Sequence, residues 1–284
     1  MIEHVYRRAC DARSVAAVIV ATDDSRIVDA VRAFGGDVRM TSASHRSGTD
    51  RLAEVAATME CDLVVNVQGD EPLIEPAMID EAVAPFDTEP ELRMSTLRRL
   101  IEDPADYRNP NVTKVVVDRD GYALYFSRAP IPHVRNDSPA ARAWRHVGLY
   151  VYRRECLLFL ARLAPTELEQ SEALEQLRAL EHGIRIKAIE THYDSIGVDT
   201  PDDLERVREI VADTGTDGAL SPTSATQVEL GRAGLPLNLA PRPYRQRLRP
   251  ERGAQSPRES EWGWGPTSTN TNKGVRRLTW ATSS

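Results

Sequence analysis

The sequence predicts an α/β protein built on a doubly wound, mostly parallel sheet with a small antiparallel section. Three observations lead there. Through the first 85 residues, short β-branched apolar runs alternate with segments of helical periodicity. Two of those runs, Val15–Ala21 and Leu63–Val67, are followed directly by acids, Asp23-Asp24 and Asp70-Glu71. Ligands of open α/β sheets bind at such carboxyl ends. Beyond Arg93 the strands shorten and are divided by Pro, Asn and Gly, which is the pattern of antiparallel pairs.

Each element follows from its residues. Ile2–Ala12 is predicted helical because Ile2, Val5, Tyr6 and Ala9 share one face. Val15–Ala21 reads as a buried strand. Asp24 is placed to N-cap a helix over Ser25–Phe34, which stops at Gly35-Gly36. Val38–Met40 is a short strand, and Ser47 to Asp50 opens a helix reaching about Met59. Asp62–Val67 is the next buried strand, and Glu75–Pro85 a helix. Strands are then expected at Arg93–Arg99, Val112–Asp118, Ala123–Phe126 and Val147–Arg153, with a turn at Asp118–Gly121. Helices return at Arg154–Leu163 and Ser171–His182, and a strand at Arg185–Glu190. The last helix, Pro201–Val211, has Thr200 as N-cap, Pro at N1 and two acids in its first turn. No internal repeat is visible.

Residues 1–213 are expected to form one α/β domain. Thr214–Ser284 reads as a disordered basic tail, because its apolar residues are too sparse and aperiodic to offset the entropy of ordering. The tail holds ten Lys/Arg against five Asp/Glu (net +5) in a chain of net −7, so the first 213 residues carry −12. An acidic body argues against nucleic acid as the main partner. The longest apolar run is far too short to span a bilayer, and no signal-peptide core follows Met1, so a cytoplasmic protein with no membrane partner is expected. Cys10, Cys61 and Cys156 are far apart and read as reduced thiols, and the six histidines lack metal-ligand spacing.

The chemistry converges on Asn66-Val-Gln-Gly-Asp-Glu-Pro72. A hard cation such as Mg²⁺ takes one or two carboxylates plus substrate phosphates, which makes Asp70 and Glu71 the first candidates. Asp70 taken alone reads equally well as a turn residue. Asp199 alone reads as part of an ordinary helix start.

Seven motifs in order resemble one family. They are His45-Arg-Ser-Gly-Thr-Asp-Arg-Leu-Ala-Glu54, Asn66–Pro72, Asn111-Val-Thr-Lys-Val115, Gly121-Tyr-Ala-Leu-Tyr-Phe-Ser-Arg-Ala-Pro-Ile-Pro132, His146-Val-Gly-Leu-Tyr150, Leu174-Glu-Gln-Leu-Arg178 and Gly197–Glu205. Together they are similar to the 3-deoxy-manno-octulosonate (Kdo) cytidylyltransferases, also called CMP-Kdo synthetases, from Met1 to about Val211. The resemblance implies a nucleotide-diphospho-sugar transferase-like fold and a transfer of CMP from CTP to Kdo, with release of pyrophosphate, for lipopolysaccharide assembly. It also implies Mg²⁺ and a homodimer.

By the same resemblance Asp70 and Asp199 are the catalytic, Mg²⁺-holding pair. In-line displacement at phosphorus rests on positioning and charge neutralisation, in keeping with acids from separate segments. Ser47 to Arg51 match the nucleotide-contacting segment, with Asp50 where the family usually has Glu; otherwise Arg51 reads as a helix-surface ion pair. Gln68 stands two residues before Asp70, within reach of substrate. Ser127, Arg128, His146, Tyr150, Glu175 and Gln176 match the sugar pocket. Arg128 suits the sugar carboxylate, since a guanidinium binds carboxylates bidentately. The structural reading of His146 is a buried, hydrogen-bonded ring. Tyr122, Tyr125 and Phe126 read as core or dimer interface.

Two departures set rival expectations. The chain opens directly on a helix, with no Gly before Gly35, whereas the family begins with a strand and a phosphate-binding loop. The fold is therefore expected to be N-terminally truncated, without a central strand. Alternatives to the Kdo enzyme are a cytidylyltransferase for another acidic sugar and an inactive remnant with dimerisation or sugar binding only. The chain as written is expected to be unstable and nearly inactive beside a version carrying the upstream strand and loop. Equal CTP-dependent pyrophosphate release from the two would overturn that expectation.

Overall fold

β-branched runs buried on both faces organise the molecule. The computed structural model describes residues 1–45, 47–135, 142–195, 197–198, 200–214 and 277–282, all within one compact unit. Its strands are β1 (Ala17–Thr22), β2 (Val38–Met40), β3 (Leu63–Gln68), β4 (Met94–Leu100), β5 (Lys114–Val117), β6 (Ala123–Ser127), β7 (Trp144–Arg153), β8 (Ile186–Glu190) and β9 (Arg277–Thr282). Its helices are α1 (Ile2–Cys10), α2 (Ser25–Ala33), α3 (Gly48–Ala57), α4 (Pro76–Val83), α5 (Pro104–Arg108), α6 (Arg154–Leu160), α7 (Glu167–Glu172), α8 (Gln176–Glu181) and α9 (Pro201–Thr214).

Period-two alternation splits the strands between two cores. Val18 and Val20 of β1 and Leu63, Val65 and Val67 of β3 pack under α1, α2 and α4. Ile19, Ala21 and Val64 face the other way, against α3, α6 and α8. Helices therefore cover both faces, as the doubly wound reading requires. Each fully buried Val, Leu or Ile contributes about 1.5–3 kcal/mol. Asn66 and Gln68 alternate with Val65 and Val67 and so share the face of Val64.

The sheet runs β2-β1-β9-β3-β7-β4-β8, and β7 also pairs with the β5–β6 hairpin. β2, β1, β9 and β3 are mutually parallel, β7 is antiparallel to β3 and β4, and β8 is parallel to β4. The carboxyl ends of six parallel strands therefore share one edge, where β7 begins. The hairpin turn at Asp118–Gly121 forms as expected, with Gly121 at φ +82°. The caps expected at Asp24 and Thr200 form too: Asp24 Oδ1 accepts from Arg26 N at 2.8 Å, and Thr200 Oγ1 from Asp203 N at 3.2 Å. At Gly35, φ is +80°, and Gly36 N donates to Val31 O at 2.9 Å, closing α2.

Three expectations are corrected. The single helix at Ser171–His182 is two helices, because Ala173 turns left-handed at φ +50° and ends α7. A capping box of Thr166 and Glu169 starts α7 earlier, at Glu167. The short α5, N-capped by Asp103 ahead of Pro104, was not expected. The third correction is β9: Arg277–Thr282, inside the stretch expected to lack order, pairs with β1 on one side and β3 on the other. The central position expected to be missing is filled. Residues 215–276 lie outside the described residues.

A proline in β9 tests this pairing. Thr279 sits opposite Val18 and Val65, and proline removes a donor from a strand paired on both sides. Thr279→Pro is expected to lower stability by roughly 2–3 kcal/mol in urea denaturation; an unchanged midpoint would remove β9 from the sheet.

Candidate active site

The shared carboxyl edge is met by residues 191–195 and 197–198, which lie between β8 and α9 in the chain. Thr191 N donates to Arg98 O at 2.9 Å at the end of β4. Asp194 is clasped by Arg99 of β4 and Arg145 of β7. Their guanidinium charges hold its carboxyl below the usual range against the opposing effect of burial. Ser195 Oγ donates to Glu71 Oε2. Val198 N donates to Asp70 O at 2.9 Å. The segment carrying Asp199 is thus fastened to the end of β3 that carries Asp70. Asp199 itself lies outside the described residues. Glu71, an early candidate for chemistry, holds this segment.

At the other end of the edge, Arg51 of α3 is buried, at 8% exposure. Its Nη1 donates to Thr41 Oγ1 at 2.6 Å, and its Nη2 lies 3.0 Å from Asp23 Oδ2. The expected surface ion pair is therefore an inward one, joining α3 to the ends of β1 and β2. Ser47 caps α3, accepting from Asp50 N at 3.3 Å. Ser47, Asp50, Glu175 and Arg178 also line a cleft of about 690 Å³.

The floor between these ends is a row of polar and aromatic side chains. Gln68 Nε2 approaches Asn66 Oδ1 at 3.4 Å. Asn66, Tyr150 and Thr96 lie side by side on β3, β7 and β4. Between Thr96 and Leu97 the register slips past Gly148 and Leu149, and Thr96 Oγ1 donates to Leu149 O at 2.8 Å. That irregularity brings His146 against Tyr150, with ring centroids 5.2 Å apart. With its one proton on Leu149 O, the Thr96 hydroxyl accepts from His146 Nε2 at 2.9 Å. Burial against Phe126 and Tyr150 pulls the imidazole down to about 3, so it is neutral at physiological pH. Burial also raises Tyr150 well above its ordinary value.

Tyr150, Thr49, Glu175 and Gln176 surround a small cavity of about 20 Å³. Glu175 Oε2 accepts from Thr49 Oγ1 at 2.8 Å, while Glu175 Oε1 lies 3.8 Å from Arg178 Nη2 and, like Gln176 Nε2, is buried with no hydrogen-bond partner among the described residues. Polar atoms left so are poised for ligand hydroxyls or water.

Ser127 and Arg128 belong to a different network. Glu172 accepts from Ser127 Oγ at 2.6 Å and from Arg128 N at 2.9 Å. The Arg128 guanidinium donates to the carbonyls of Glu172, Pro110 and Ala173 at 2.8, 3.1 and 3.3 Å. The expected carboxylate fork is thus engaged with backbone: the left-handed turn at Ala173 presents the Glu172 and Ala173 carbonyls to it, and the segment before β5 presents that of Pro110. Two residues escaped the sequence reading. Glu172 anchors this loop. Lys114 is wholly buried, and its Nζ donates to Asn109 O, Val112 O and Arg128 O at 2.9, 2.6 and 2.6 Å. A lysine inside an apolar β-branched strand, Val112 to Val117, was the available signal. Phe126 is core, as expected, whereas Tyr122 donates to Glu89 Oε2 at 2.5 Å and lies under Arg185.

Asp70 offers a carboxylate of the kind that Mg²⁺ takes. Among the described residues no three His, Cys, Asp or Glu gather as a closed metal cage. Mg²⁺ needs none, since one or two carboxylates and substrate phosphates suffice.

Comparison with known proteins shows the family. The cytidylyltransferase family model matches residues 1–186. A 3-deoxy-manno-octulosonate cytidylyltransferase of Geobacter metallireducens is 58% identical over 219 residues, 74% of this chain and 86% of the relative. Its counterpart in Geotalea daltonii is 57% identical over 225 residues, 76% and 89% of the two chains. A solved CMP:2-keto-3-deoxy-manno-octonic acid synthetase complexed with CTP superposes with TM-score 0.72 at 45% identity, covering 75% of this chain and 88% of that one. A glucose-1-phosphate thymidylyltransferase of Bacillus anthracis, 15% identical with TM-score 0.52 over 75% and 83% of the chains, shares the fold.

Two measurements probe the site's supports. Lys114→Met leaves three carbonyls without their donor and is expected to cost roughly 3 kcal/mol in urea denaturation. His146 is neutral when folded and has an ordinary value of 6.5 when unfolded, so the unfolded chain binds the extra proton between those limits. Its contribution to stability is complete above about pH 6.5 and is lost as pH falls toward 3. His146→Phe should flatten the fall in stability between pH 7 and 5; an unchanged slope would show a ring that ionises freely.

Proposed function

The chain belongs to the 3-deoxy-manno-octulosonate cytidylyltransferase family, and from that premise we propose that it activates Kdo with CTP, giving CMP-Kdo and pyrophosphate. The observation that carries the reading is the hydrogen bond from Val198 N to Asp70 O. It ties the residue before Asp199 to the strand end bearing Asp70.

In the reaction the anomeric oxygen of the sugar bonds to the α-phosphorus of CTP as the bond to the β-phosphate breaks. The hydroxyl proton passes to solvent, and pyrophosphate leaves. Asp70 and Asp199 would hold Mg²⁺, which when bound neutralises phosphate charge. The rest is positioning. Arg51, fixed by Asp23 and Thr41, supports the nucleotide side together with the Ser47–Asp50 helix start. Gln68 offers its amide beside Asp70. Neutral His146 and Tyr150 form an aromatic wall for the sugar, and Glu175 and Gln176 read its hydroxyls through polar atoms that make no hydrogen bond among the described residues. Arg128 and Ser127, held by Glu172, set the pocket's rim. The relatives compared above bear the Kdo name, which favours Kdo over another acidic sugar. No helix among the described residues is long and apolar enough to cross a membrane. A cytoplasmic homodimer supplying lipopolysaccharide assembly completes the proposal.

The test is pyrophosphate release by the full chain with CTP, Kdo and Mg²⁺. Release should require both substrates. It should fall at least roughly 100-fold in Asp70→Asn, as when a group stabilising transition-state charge is removed. Release without Kdo, or full activity in Asp70→Asn, would overturn the reading.

A further inference from the structure

Tyr152 is a buried titratable side chain for which the reaction described above has no use. It stands on β7, 3% exposed, and lines the small cavity together with Thr49 and Glu175. It is hydrogen-bonded to Thr49 and to Asn66. Burial raises the pKa of its hydroxyl far above the ordinary range, so the proton stays on it. A buried hydroxyl with two side-chain partners belongs to a network, and the worth of a network lies in where it ends.

Counting protons gives these bonds one direction. A carboxylate only accepts, so Thr49 gives its single hydroxyl proton to Glu175 Oε2, at 2.8 Å. Tyr152 must then donate to the Thr49 oxygen. Toward Asn66 it can only accept, from the amide nitrogen. The Asn66 carbonyl in turn accepts from Gln68 Nε2 at 3.4 Å. Four hydrogen bonds thus run head to tail, from Gln68 near Asp70 through Asn66, Tyr152 and Thr49 to Glu175. The three middle residues are buried, and in such a chain each donor polarises the next.

The carboxylate at the end of the chain has a rival partner. Arg178 Nη2 stands 3.8 Å from Glu175 Oε1, just beyond hydrogen-bond reach, and its guanidinium is fixed by two bonds to Glu169 at 2.8 and 2.5 Å. Attraction alone would draw Glu175 onto Arg178. The Thr49 bond opposes that movement and leaves Oε1 without a hydrogen bond among the described residues. We propose that Tyr152 and Thr49 are positioning residues for sugar recognition: the hydrogen-bond chain they carry sets the Glu175 carboxylate for the sugar hydroxyls, and they act through Glu175 rather than by contact with the sugar. This rests on the Kdo reading above. It requires the chain to act as one unit.

The test is calorimetric binding of Kdo to the full chain and to Thr49→Val, Thr49→Ser, Tyr152→Phe and the double variant T49V/Y152F, with melting temperatures measured in parallel. The wild type should bind Kdo. Thr49→Val keeps the shape of the side chain and removes only the hydroxyl. It should weaken Kdo binding roughly tenfold or more, as expected for a lost hydrogen bond to a charged group, and Thr49→Ser should restore it. Tyr152→Phe should weaken it roughly threefold, the range of a neutral hydrogen bond. The double variant should bind no more weakly than Thr49→Val, because the chain is already broken at its last link. Losses that add in the double variant, or that follow the melting temperatures and persist in Thr49→Ser, would make the two residues separate structural supports and overturn the proposal. Unaltered Kdo binding in both single variants, Thr49→Val and Tyr152→Phe, would also overturn it. A wild type that binds no Kdo would instead overturn the substrate reading on which it rests.

Discussion

One short stretch of chain governs the site. Residues 191–195 and 197–198 meet the carboxyl end of β4, the start of β7 and the end of β3, and each meeting has its own fastening: a backbone bond at Arg98, the Asp194 clasp, the Glu71–Ser195 pair and the Val198–Asp70 bond. Hydrogen bonds and one doubly paired aspartate hold the main chain of this segment against the ends of β4 and β3. Its placement thus depends on residues scattered over three strands.

The two faces of the sheet divide the work. The face under α1, α2 and α4 is almost wholly aliphatic. The face under α3, α6 and α8 is aliphatic at the amino ends of β1 and β3 and turns polar toward their carboxyl ends, where Asn66, Gln68, Tyr150 and His146 stand. An apolar layer lies behind and a polar floor in front. The slipped register of β7 beside Thr96 is the one local irregularity on that floor, and it is what sets the imidazole against the tyrosine ring.

Most strands and helices were legible because their signals are local: β-branched runs, caps at Asp24 and Thr200, and glycine stops. Strand ends at Asp70 and helix starts at Ser47 were legible for the same reason. What escaped depended on contacts between distant segments. Nothing in Ser171–His182 announces that Ala173 will turn left-handed; the turn accompanies contacts of distant segments, the Glu169–Arg178 pair and the Arg128 bond to Ala173 O. Arg128 looked available because its type fits a carboxylate, and only the fold shows the carbonyls that hold it. Tyr152 was passed over for the converse reason, since a tyrosine in an apolar strand reads as core until its partners are seen. The tail was judged by composition, which cannot reveal that six of its residues find two open strand edges.

That last feature bears on how the molecule is made. The sheet's centre, between β1 and β3, is occupied by residues that leave the ribosome after every other described element. Helices and outer strands form early during synthesis, yet β1 and β3 hold unpaired facing edges until Arg277–Thr282 emerges. Such edges are sticky, and the interval during which they stand open is set by the time needed to translate the intervening stretch. The nascent chain is therefore most exposed to strand-to-strand aggregation late in its synthesis, when nearly all of it has already been built.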